Sequence, residues 1–300
     1  MPSLSQKKKR KSRKRSYAWP RLLLFIATLV ALCGFLFSFY RSNMTFHTTE
    51  YTISSPYLPN AFNRYRIAQI SDLHNNVFGN KGEALQKAVD AAAPNIVVIT
   101  GDTISRRSND THAVVEALKP IAAKYPTYFI RGNHELYRDA HRDDAADFYK
   151  ALDAAGVIRL ENRSVSLMHR EATIQLAGLM EPLSCYENRT APDVEQWLGK
   201  KKNEYTILLA HNPLPFAAYA KWGAELTLAG HVHGGVVRLP FIGGLFSPER
   251  RLFPAYSKGI YRQGKSAMVV SAGMGGSMFP FRLFNPQELV VITLQSQSIH

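Results

Sequence analysis

The sequence predicts an α/β fold: a four-layer α/β/β/α sandwich of two mixed sheets with flanking helices, preceded by one N-terminal transmembrane helix. Three features support this prediction. An uncharged apolar run near the N-terminus is long enough to cross a bilayer. Apolar runs of strand length then alternate with segments of helical period, as in mostly parallel sheets joined by right-handed crossovers. Further short strands follow in the C-terminal half, and they supply a second sheet that packs on the first.

The first 21 residues form a basic tail, which we predict to be cytoplasmic. They hold nine of the 37 Lys and Arg residues and no acidic residue, and a block of this charge cannot collapse into a core. The remaining 28 basic and 23 acidic residues leave the rest of the chain with a net charge of only +5. This mild charge argues against a protein that coats nucleic acid, so no nucleic-acid partner is expected.

Residues 22–40 are predicted to form a transmembrane anchor. This run of 19 residues carries no charge, and as a helix it would span roughly 28 Å, close to the thickness of a bilayer's hydrocarbon core. Trp19 and Tyr40 lie at its two ends, where interfacial aromatic residues are found. The positive-inside rule places the N-terminus in the cytoplasm and the C-terminal domain on the outer side of the cell membrane. A cleaved signal peptide is the alternative, although no small-x-small site follows Tyr40.

The rest of the chain is predicted to form a linker and edge strand at residues 41–63 and one domain at residues 64–300. The domain begins with strands at 65–70, 96–100 and 127–130, which alternate with helices at 81–92, 111–123 and 145–155. Further strands are predicted at 164–168, 173–179, 206–210, 226–229, 268–271 and 289–294. Residues 238–262 are rich in Gly and Pro, which predicts a loop.

Residues of the kinds that bind metals follow the ends of successive predicted strands. They are Asp72, His74, Asp102, Asn133, His134, His211, His231 and His233. In open α/β sheets the carboxyl ends of the strands line the ligand crevice, so we expect these side chains to converge. Each residue alone could be an ordinary turn residue, but the whole set predicts a metal site.

The donor types indicate which metals would bind. Oxygen and imidazole donors without thiolate suit Mn, Fe, Zn or Ni. The donors are too many for one ion, and two divalent ions about 3.5–4 Å apart with one carboxylate between them fit better. Such a pair can hold a hydroxide at neutral pH and bind both the attacking and the leaving oxygen of a phosphoryl displacement. Glycines around His231 and His233 let the backbone approach such a centre closely.

Five short motifs resemble, in order and spacing, the five blocks of the calcineurin-like metallophosphoesterases. They are Asp72-x-His74, Gly101-Asp102, Gly132-Asn133-His134-Glu135, His211 and Gly230-His231-x-His233. The resemblance covers about residues 64–296. The Gly-rich stretch 228–235 and the tail 281–294 look most like a bacterial membrane-anchored or exported branch, the YkuE/YaeI-like phosphodiesterases.

The resemblance implies a binuclear centre in which Asp102 bridges two metals. One metal would be held by Asp72, His74, Asp102 and His233. The other would be held by Asp102, Asn133, His211 and His231. A hydroxide between the metals would attack phosphorus in line, and His134 would be the general acid near the leaving oxygen. We expect Asn133 and His134 on an extended turn, where neighbouring side chains point in different directions. Glu135 stands where the family more often has Asp, which leaves the orientation of His134 open.

The sequence therefore predicts a membrane-anchored binuclear-metal phosphoesterase that cleaves a phosphodiester or a pyrophosphate bond. Its substrate would be lipid-linked or a nucleotide; a lipid is favoured by the anchor, by aromatic and basic residues in 238–262, and by the likeness of this branch to enzymes that cleave UDP-diacylglucosamine. No substrate-binding residue is predicted, because Arg131 could equally face a phosphate or form a surface ion pair. One alternative is a catalytically inactive scaffold that binds a protein partner, which missing ligands would indicate. The other is a nucleic-acid binder that uses the basic tail.

We expect the full-length protein to sediment with membranes, because residues 22–40 are long and apolar enough to remain in the bilayer. A variant that begins at Thr45 should stay in the soluble fraction. In intact cells, an impermeant reagent should label the globular domain from the outside. Labelling from the cytoplasmic side alone would show that the orientation inferred from the basic tail is wrong.

Overall fold

The computed structural model describes residues 18–108, 110–142, 144–239, 241–248, 251–276 and 281–297, so most of the basic tail lies outside the described residues. The chain divides into two compact units, residues 1–38 and 39–300. Helix α1 (Ala18–Met44) accounts for all described residues of the first unit. Residues Trp19–Met44 are long and apolar enough to cross a membrane, with a mean hydropathy of 2.6 in their most apolar window. A signal sequence has the same properties, so this helix is an anchor or a signal sequence.

The described part of the second unit contains the strands of the fold and seven further helices. The strands are β1 (Phe46–Ser55), β2 (Arg66–Ile70), β3 (Ile96–Thr100), β4 (Thr127–Ile130), β5 (Ile158–Arg159), β6 (Arg163–His169), β7 (Ala172–Gly178), β8 (Thr206–Leu209), β9 (Leu226–Ala229), β10 (Arg238–Leu239), β11 (Gly243–Gly244), β12 (Gly259–Gln263), β13 (Ser266–Val270) and β14 (Gln287–Ser296). The helices are α2 (Glu83–Ala92), α3 (His112–Lys124), α4 (Asn133–His141), α5 (Ala146–Ala154), α6 (Leu183–Asn188), α7 (Val194–Leu198) and α8 (Phe216–Trp222).

Two six-stranded sheets form the centre of this unit. Their strand orders are β1-β14-β2-β3-β4-β5 and β12-β13-β9-β8-β7-β6. In the first sheet β14 and β2 are antiparallel, and the other neighbours are parallel. In the second sheet the outer pairs β12–β13 and β6–β7 are antiparallel, and the inner pairs are parallel. Both sheets are therefore mixed and mostly parallel, as the alternation of strands and helices predicted.

Three apolar clusters fill the spaces between the layers. Between the sheets, Ile67, Val98 and Ile292 of the first sheet pack with Leu176 and Leu228 of the second. The outer face of the first sheet packs on α2, α3 and α5, and that of the second sheet packs on α7 and α8. Because successive residues of a strand point to opposite faces, inner strands buried on both faces need an unbroken apolar sequence. The predicted four-layer α/β/β/α sandwich is confirmed.

Some elements differ from the prediction. Residues 238–262, predicted as a loop, contain β10, β11 and most of β12, and β12 pairs with β13. Strand β12 lies at a sheet edge and has only exposed and half-buried residues, so its sequence lacks the apolar run that would indicate a strand. Helices α6, α7 and α8 have only six, five and seven residues, too few for a helical period to be recognised.

Gly178 at the end of β7 marks a close approach between the two sheets. A Cβ atom there would lie 2.3 Å from the carbonyl oxygen of Leu160 and 2.8 Å from Cγ2 of Ile130. Ile130 ends β4 of the first sheet, and Leu160 directly follows β5 of the same sheet. The Leu160 amide is bonded to the Phe129 carbonyl at 2.8 Å, so this backbone is held in place. The sheets therefore leave no room for a side chain at this position.

Gly178→Ala should lower the free energy of unfolding by about 1–3 kcal/mol, the usual effect of adding atoms to a filled core. Gly276→Ala is the matched control, because nothing lies within 4 Å of a Cβ built there. Urea unfolding of the detergent-solubilised variants gives the comparison. Equal midpoints for the two variants would contradict the close approach at Gly178.

Candidate metal centre

The acidic and histidine residues predicted to bind metal lie where strands of both sheets end. Asp72 follows β2 and Asp102 follows β3 in the first sheet. His211 follows β8, and His231 and His233 follow β9, in the second sheet. The carboxyl ends of these parallel strands lie at one edge of the sandwich, which is why residues far apart in sequence meet there.

Asn133 and His134 lie at the same edge, although their local structure differs from the prediction. They are the first two residues of helix α4 and do not lie on an extended turn. Helix α4 has nine residues and a low apolar content, so its sequence gave little indication of a helix. Because the two residues lie on the first turn of a helix, their side chains still diverge.

A first cluster contains four residues whose ligand atoms all lie within 4.8 Å of one another: Asp72, His74, Asp102 and His233. Nε2 of His74 lies 3.0 Å from Nε2 of His233 and 3.7 Å from Oδ2 of Asp102. Nε2 of His233 lies 3.5 Å from Oδ1 of Asp72. These atoms face a common point, as ligands of one ion would.

A second cluster contains Asp102, His211 and His231. Nε2 of His211 lies 3.3 Å from Oδ2 of Asp102 and 3.2 Å from Oδ1 of Asn133. Asp102 belongs to both clusters, so its carboxylate lies between the two sets of histidines. Such Asp/His clusters are typical of a binuclear metal site.

The chemistry of these donors fits a pair of divalent cations. Asp72 and Asp102 are only 0% and 2% exposed, and a buried carboxylate is costly unless a cation or hydrogen bonds compensate it. Burial lowers the pKa of His74 and of His233 well below the usual histidine value, and a neighbouring imidazole lowers each further. Both rings are therefore neutral at pH 7, which is the form of histidine that binds metals.

The backbone that carries the ligands is strained. The φ angles are 53° at Asp72, 51° at Asp102 and 71° at His231, in a region that residues other than glycine rarely adopt. Such strain persists only where the surroundings fix the backbone. The amide of Asp72 donates to the carbonyl of Gly101 at 3.0 Å, and the amide of His231 donates to the Asp72 carboxylate at 3.0 Å. Hydrogen bonds between the turns thus hold the ligands in place.

Glu135 holds the backbone of Asp102 through hydrogen bonds. It is fully buried, and its carboxylate accepts hydrogen bonds from the amides of Gly132, Asp102 and Ile104 at 2.9, 2.9 and 3.0 Å. Burial and then the charge of Asp102 raise the pKa of Glu135 to about 7. Glu135 therefore joins the turn after β3 to the turn after β4.

The orientation of His134, which the sequence left open, is set by Arg106. Nδ1 of His134 accepts a hydrogen bond from the Arg106 amide at 3.1 Å, and Nε2 lies 4.0 Å from Oδ2 of Asp102. In a neutral ring an accepting Nδ1 carries no proton, so the proton lies on Nε2. The His134 side chain is 19% exposed and lines the cleft beside Asp102.

Arg282 is a residue of the site that sequence reasoning missed. It is 2% exposed, and its Nη2 lies 3.1 Å from Nδ1 of His233. The guanidinium also donates to the carbonyl oxygens of Ala272 and Gly275, both at 2.7 Å. The family-like tail 281–294 contains this arginine, but only the folded chain brings it to His233. Arg282 fixes the orientation of that ring.

A cleft of about 250 Å³ opens at the centre. Besides the predicted metal ligands, the cleft is lined by His134, Arg106, Tyr137, Leu183, Tyr186, Glu187 and Pro248. The guanidinium carbon of Arg106 lies 5.3 Å from the centre of the Tyr137 ring. The position of Arg106 places a positive charge beside the predicted metal ligands.

Arg131 does not line the cleft. Its guanidinium forms ion pairs with Asp139 and Glu161, both at 2.9 Å, and lies over the ring of Tyr149 at 4.4 Å. The surface ion pair was one of the two interpretations of this residue, and the structure favours it over a phosphate contact.

A four-layer sandwich with Asp/His clusters at its strand ends defines the class of the metallophosphoesterases. Residues 65–235 match the calcineurin-like phosphoesterase family, and the chain belongs to that family. The resemblance carried by the five motifs is thereby confirmed.

The chain is similar to family members from bacteria and animals over most of its length. It is 29% identical over 281 residues to the uncharacterized metallophosphoesterase YkuE of Bacillus subtilis, covering 91% of this chain and 94% of that protein. It is 27% identical over 290 residues to the uncharacterized metallophosphoesterase Cj0846 of Campylobacter jejuni, covering 95% and 73%. It is 28% identical over 292 residues to a transmembrane protein with metallophosphoesterase domain of Bos taurus, covering 92% and 62%.

Asp102→Ala should remove metal from both clusters, because this carboxylate belongs to each of them. Metal content per chain, measured by mass spectrometry, should fall from about two ions to less than half of that. Asp147→Ala is a suitable control, since the Asp147 side chain is 94% exposed. A variant that keeps both ions and a near-normal turnover would show that Asp102 is not shared.

Proposed function

We propose that this protein is a membrane-anchored phosphoesterase that hydrolyses a phosphodiester or a pyrophosphate bond with the help of two divalent ions. The observation that carries the proposal is the presence of Asp102 in both metal-type clusters, in the lining of a cleft that His134 also lines. An inactive scaffold would be expected to lack ligands, and every ligand position of the five motifs is filled.

The ligands are assigned as the family resemblance implies. One ion would be held by Asp72, His74, Asp102 and His233. The other would be held by Asp102, His211 and His231, with Asn133 as the fourth ligand. Carboxylate, amide and imidazole donors suit Mn, Fe, Zn or Ni. When bound, the two ions supply Lewis acidity at neutral pH.

His134 is the general acid in this proposal. The Arg106 amide at Nδ1 keeps the proton of the neutral ring on Nε2, and the His134 side chain lines the cleft. Arg106 is placed to bind an anionic oxygen of the substrate, since its guanidinium lines the same cleft. The alkoxide that leaves phosphorus needs a proton, and Nε2 of His134 supplies it.

The N-terminal helix is the anchor in this proposal. Its length and hydropathy, the basic residues that precede it and the name of the Bos taurus relative support an uncleaved single span. The basic tail then lies in the cytoplasm and the catalytic domain outside the cell membrane.

His134→Ala should keep both metals and slow the hydrolysis of a diester with an alkyl leaving group by about 10²–10⁴-fold, the usual contribution of a positioned histidine. The loss should be much smaller for a p-nitrophenyl ester, whose leaving group needs little protonation. Steady-state rates on the two substrates, with metal content as a parallel measurement, test this difference.

Asn133→Ala is the companion variant and should instead weaken metal binding, because Oδ1 of Asn133 lies 3.2 Å from Nε2 of His211. Equal losses on both esters for His134→Ala, together with reduced metal content, would make His134 a ligand or a structural residue. The general-acid role would then be wrong.

A further inference from the structure

Six large apolar side chains are exposed to solvent in three segments of the second unit. We call them the apolar patch: Phe241, Ile242, Leu252, Phe253, Phe281 and Phe284. Phe241 and Ile242 lie between β10 and β11, and Phe241 is fully exposed. A group of exposed aromatic and aliphatic residues of this size marks an interaction surface.

Backbone hydrogen bonds join the three segments. The amide of Arg238 donates to the carbonyl of Leu283 at 3.0 Å, which ties the β10–β11 hairpin to the segment around Phe281 and Phe284. The amide of Phe253 donates to the carbonyl of Leu245 at 3.0 Å, which ties the third segment to the same hairpin. The apolar patch is therefore one assembly and not a set of unrelated loops.

The same assembly is bonded to the residues at the C-terminal end of α1. Oδ1 of Asn43 accepts from the Arg282 amide, and Nδ2 of Asn43 donates to the Arg282 carbonyl, both at 2.8 Å. The amide of Asn285 donates to Oγ of Ser42 at 3.2 Å. Within α1, Asn43 follows Tyr40, the last residue of the uncharged run 22–40, by three positions, about 4.5 Å along a helix. With α1 as a membrane anchor, the segment 281–285 is held at the membrane surface.

The same assembly also contacts His233, one of the predicted metal ligands. Nδ2 of Asn285 donates to the carbonyl of His233 at 2.6 Å, and Arg282 contacts the ring of the same histidine. Pro248, between the hairpin and Leu252, lines the cleft. The cleft thus opens beside residues that are held next to the end of the anchor.

We propose that the apolar patch lies in the interfacial layer of the bilayer that α1 crosses, and that the metal centre acts on a phosphoester whose apolar part stays in that bilayer. Phe, Leu and Ile beside a basic residue, here the exposed Arg251, are the composition of surfaces that insert into lipid headgroups. The continuity of the patch with the anchor favours lipid over a protein partner. The substrate class rests on the proposed phosphoesterase function, whereas the lipid contact does not.

Spin labels on the full-length chain in phosphatidylcholine–phosphatidylglycerol vesicles test the lipid contact. Phe241→Cys carries the label in a chain with Cys33→Ser and Cys185→Ser, and Met168→Cys in the same background is the control. Met168 is an exposed apolar residue on β6, at the far edge of the second sheet. The label at 241 should be accessible to oxygen and protected from a water-soluble nickel complex, and the label at 168 should show the reverse.

Equal access of the nickel complex to both labels would overturn the proposal. Dipolar broadening of the label at 241 by a second copy of the chain would also overturn it, because the patch would then be covered by protein.

Two chromogenic esters test the substrate class in the same vesicles: water-soluble bis(p-nitrophenyl) phosphate and the p-nitrophenyl ester of phosphatidic acid. The double variant Phe241→Ser/Ile242→Ser should hydrolyse the lipid ester about tenfold more slowly, equivalent to about 1.4 kcal/mol, with little change on the soluble ester. Met168→Ser should leave both rates unchanged. An unchanged rate on the lipid ester, or parallel losses on both esters, would contradict a lipid-borne substrate. If the metal-loaded protein hydrolyses neither ester, the phosphoesterase function fails, and the spin labels still decide the lipid contact.

Discussion

The buried carboxylate of Asp102 is the constraint on which the rest of the site depends. It lies within ligand distance of histidines from both sheets, and it is almost free of solvent. A charge in such a position needs compensation, which comes from the neighbouring imidazoles and from the His134 amide at 2.8 Å; cations bound at the two clusters would add to it. The carboxyl ends of strands from both sheets must therefore lie close to this one side chain.

Hydrogen bonds to the backbone hold the strand ends of the two sheets close to Asp102. The buried Glu135 carboxylate accepts hydrogen bonds from three amides, in the turn that contains Asp102 and in the turn that precedes α4. It therefore links these two turns. At Gly178 the two sheets approach too closely for any side chain larger than hydrogen. The backbone of Asp72, Asp102 and His231 has left-handed φ angles, which are strained for residues other than glycine. Hydrogen bonds between the turns hold the backbone in this conformation.

The C-terminal segment connects the centre to the rest of the chain. Arg282 contacts the ring of His233 while its backbone is bonded to Asn43, and Asn285 contacts both the His233 carbonyl and Ser42. Residues 239 and 243 positions apart in sequence therefore share one hydrogen-bonded assembly. Ser42 and Asn43 are residues of the last turn of α1 and belong to the second unit, so the end of this helix is joined by hydrogen bonds to residues that contact His233.

The sequence by itself determined the elements whose signal is local. Unbroken apolar runs such as 96–100 predicted buried strands, and the polar residues directly after them, Asp102 among them, predicted a metal site, because strand ends of parallel sheets meet at one edge. Tertiary structure alone decided the contacts of Arg282 and Glu135 and the edge strand β12. An arginine or a glutamate has the same sequence signal whether it is solvated or buried, and only the packing of distant segments removes it from water and gives it partners.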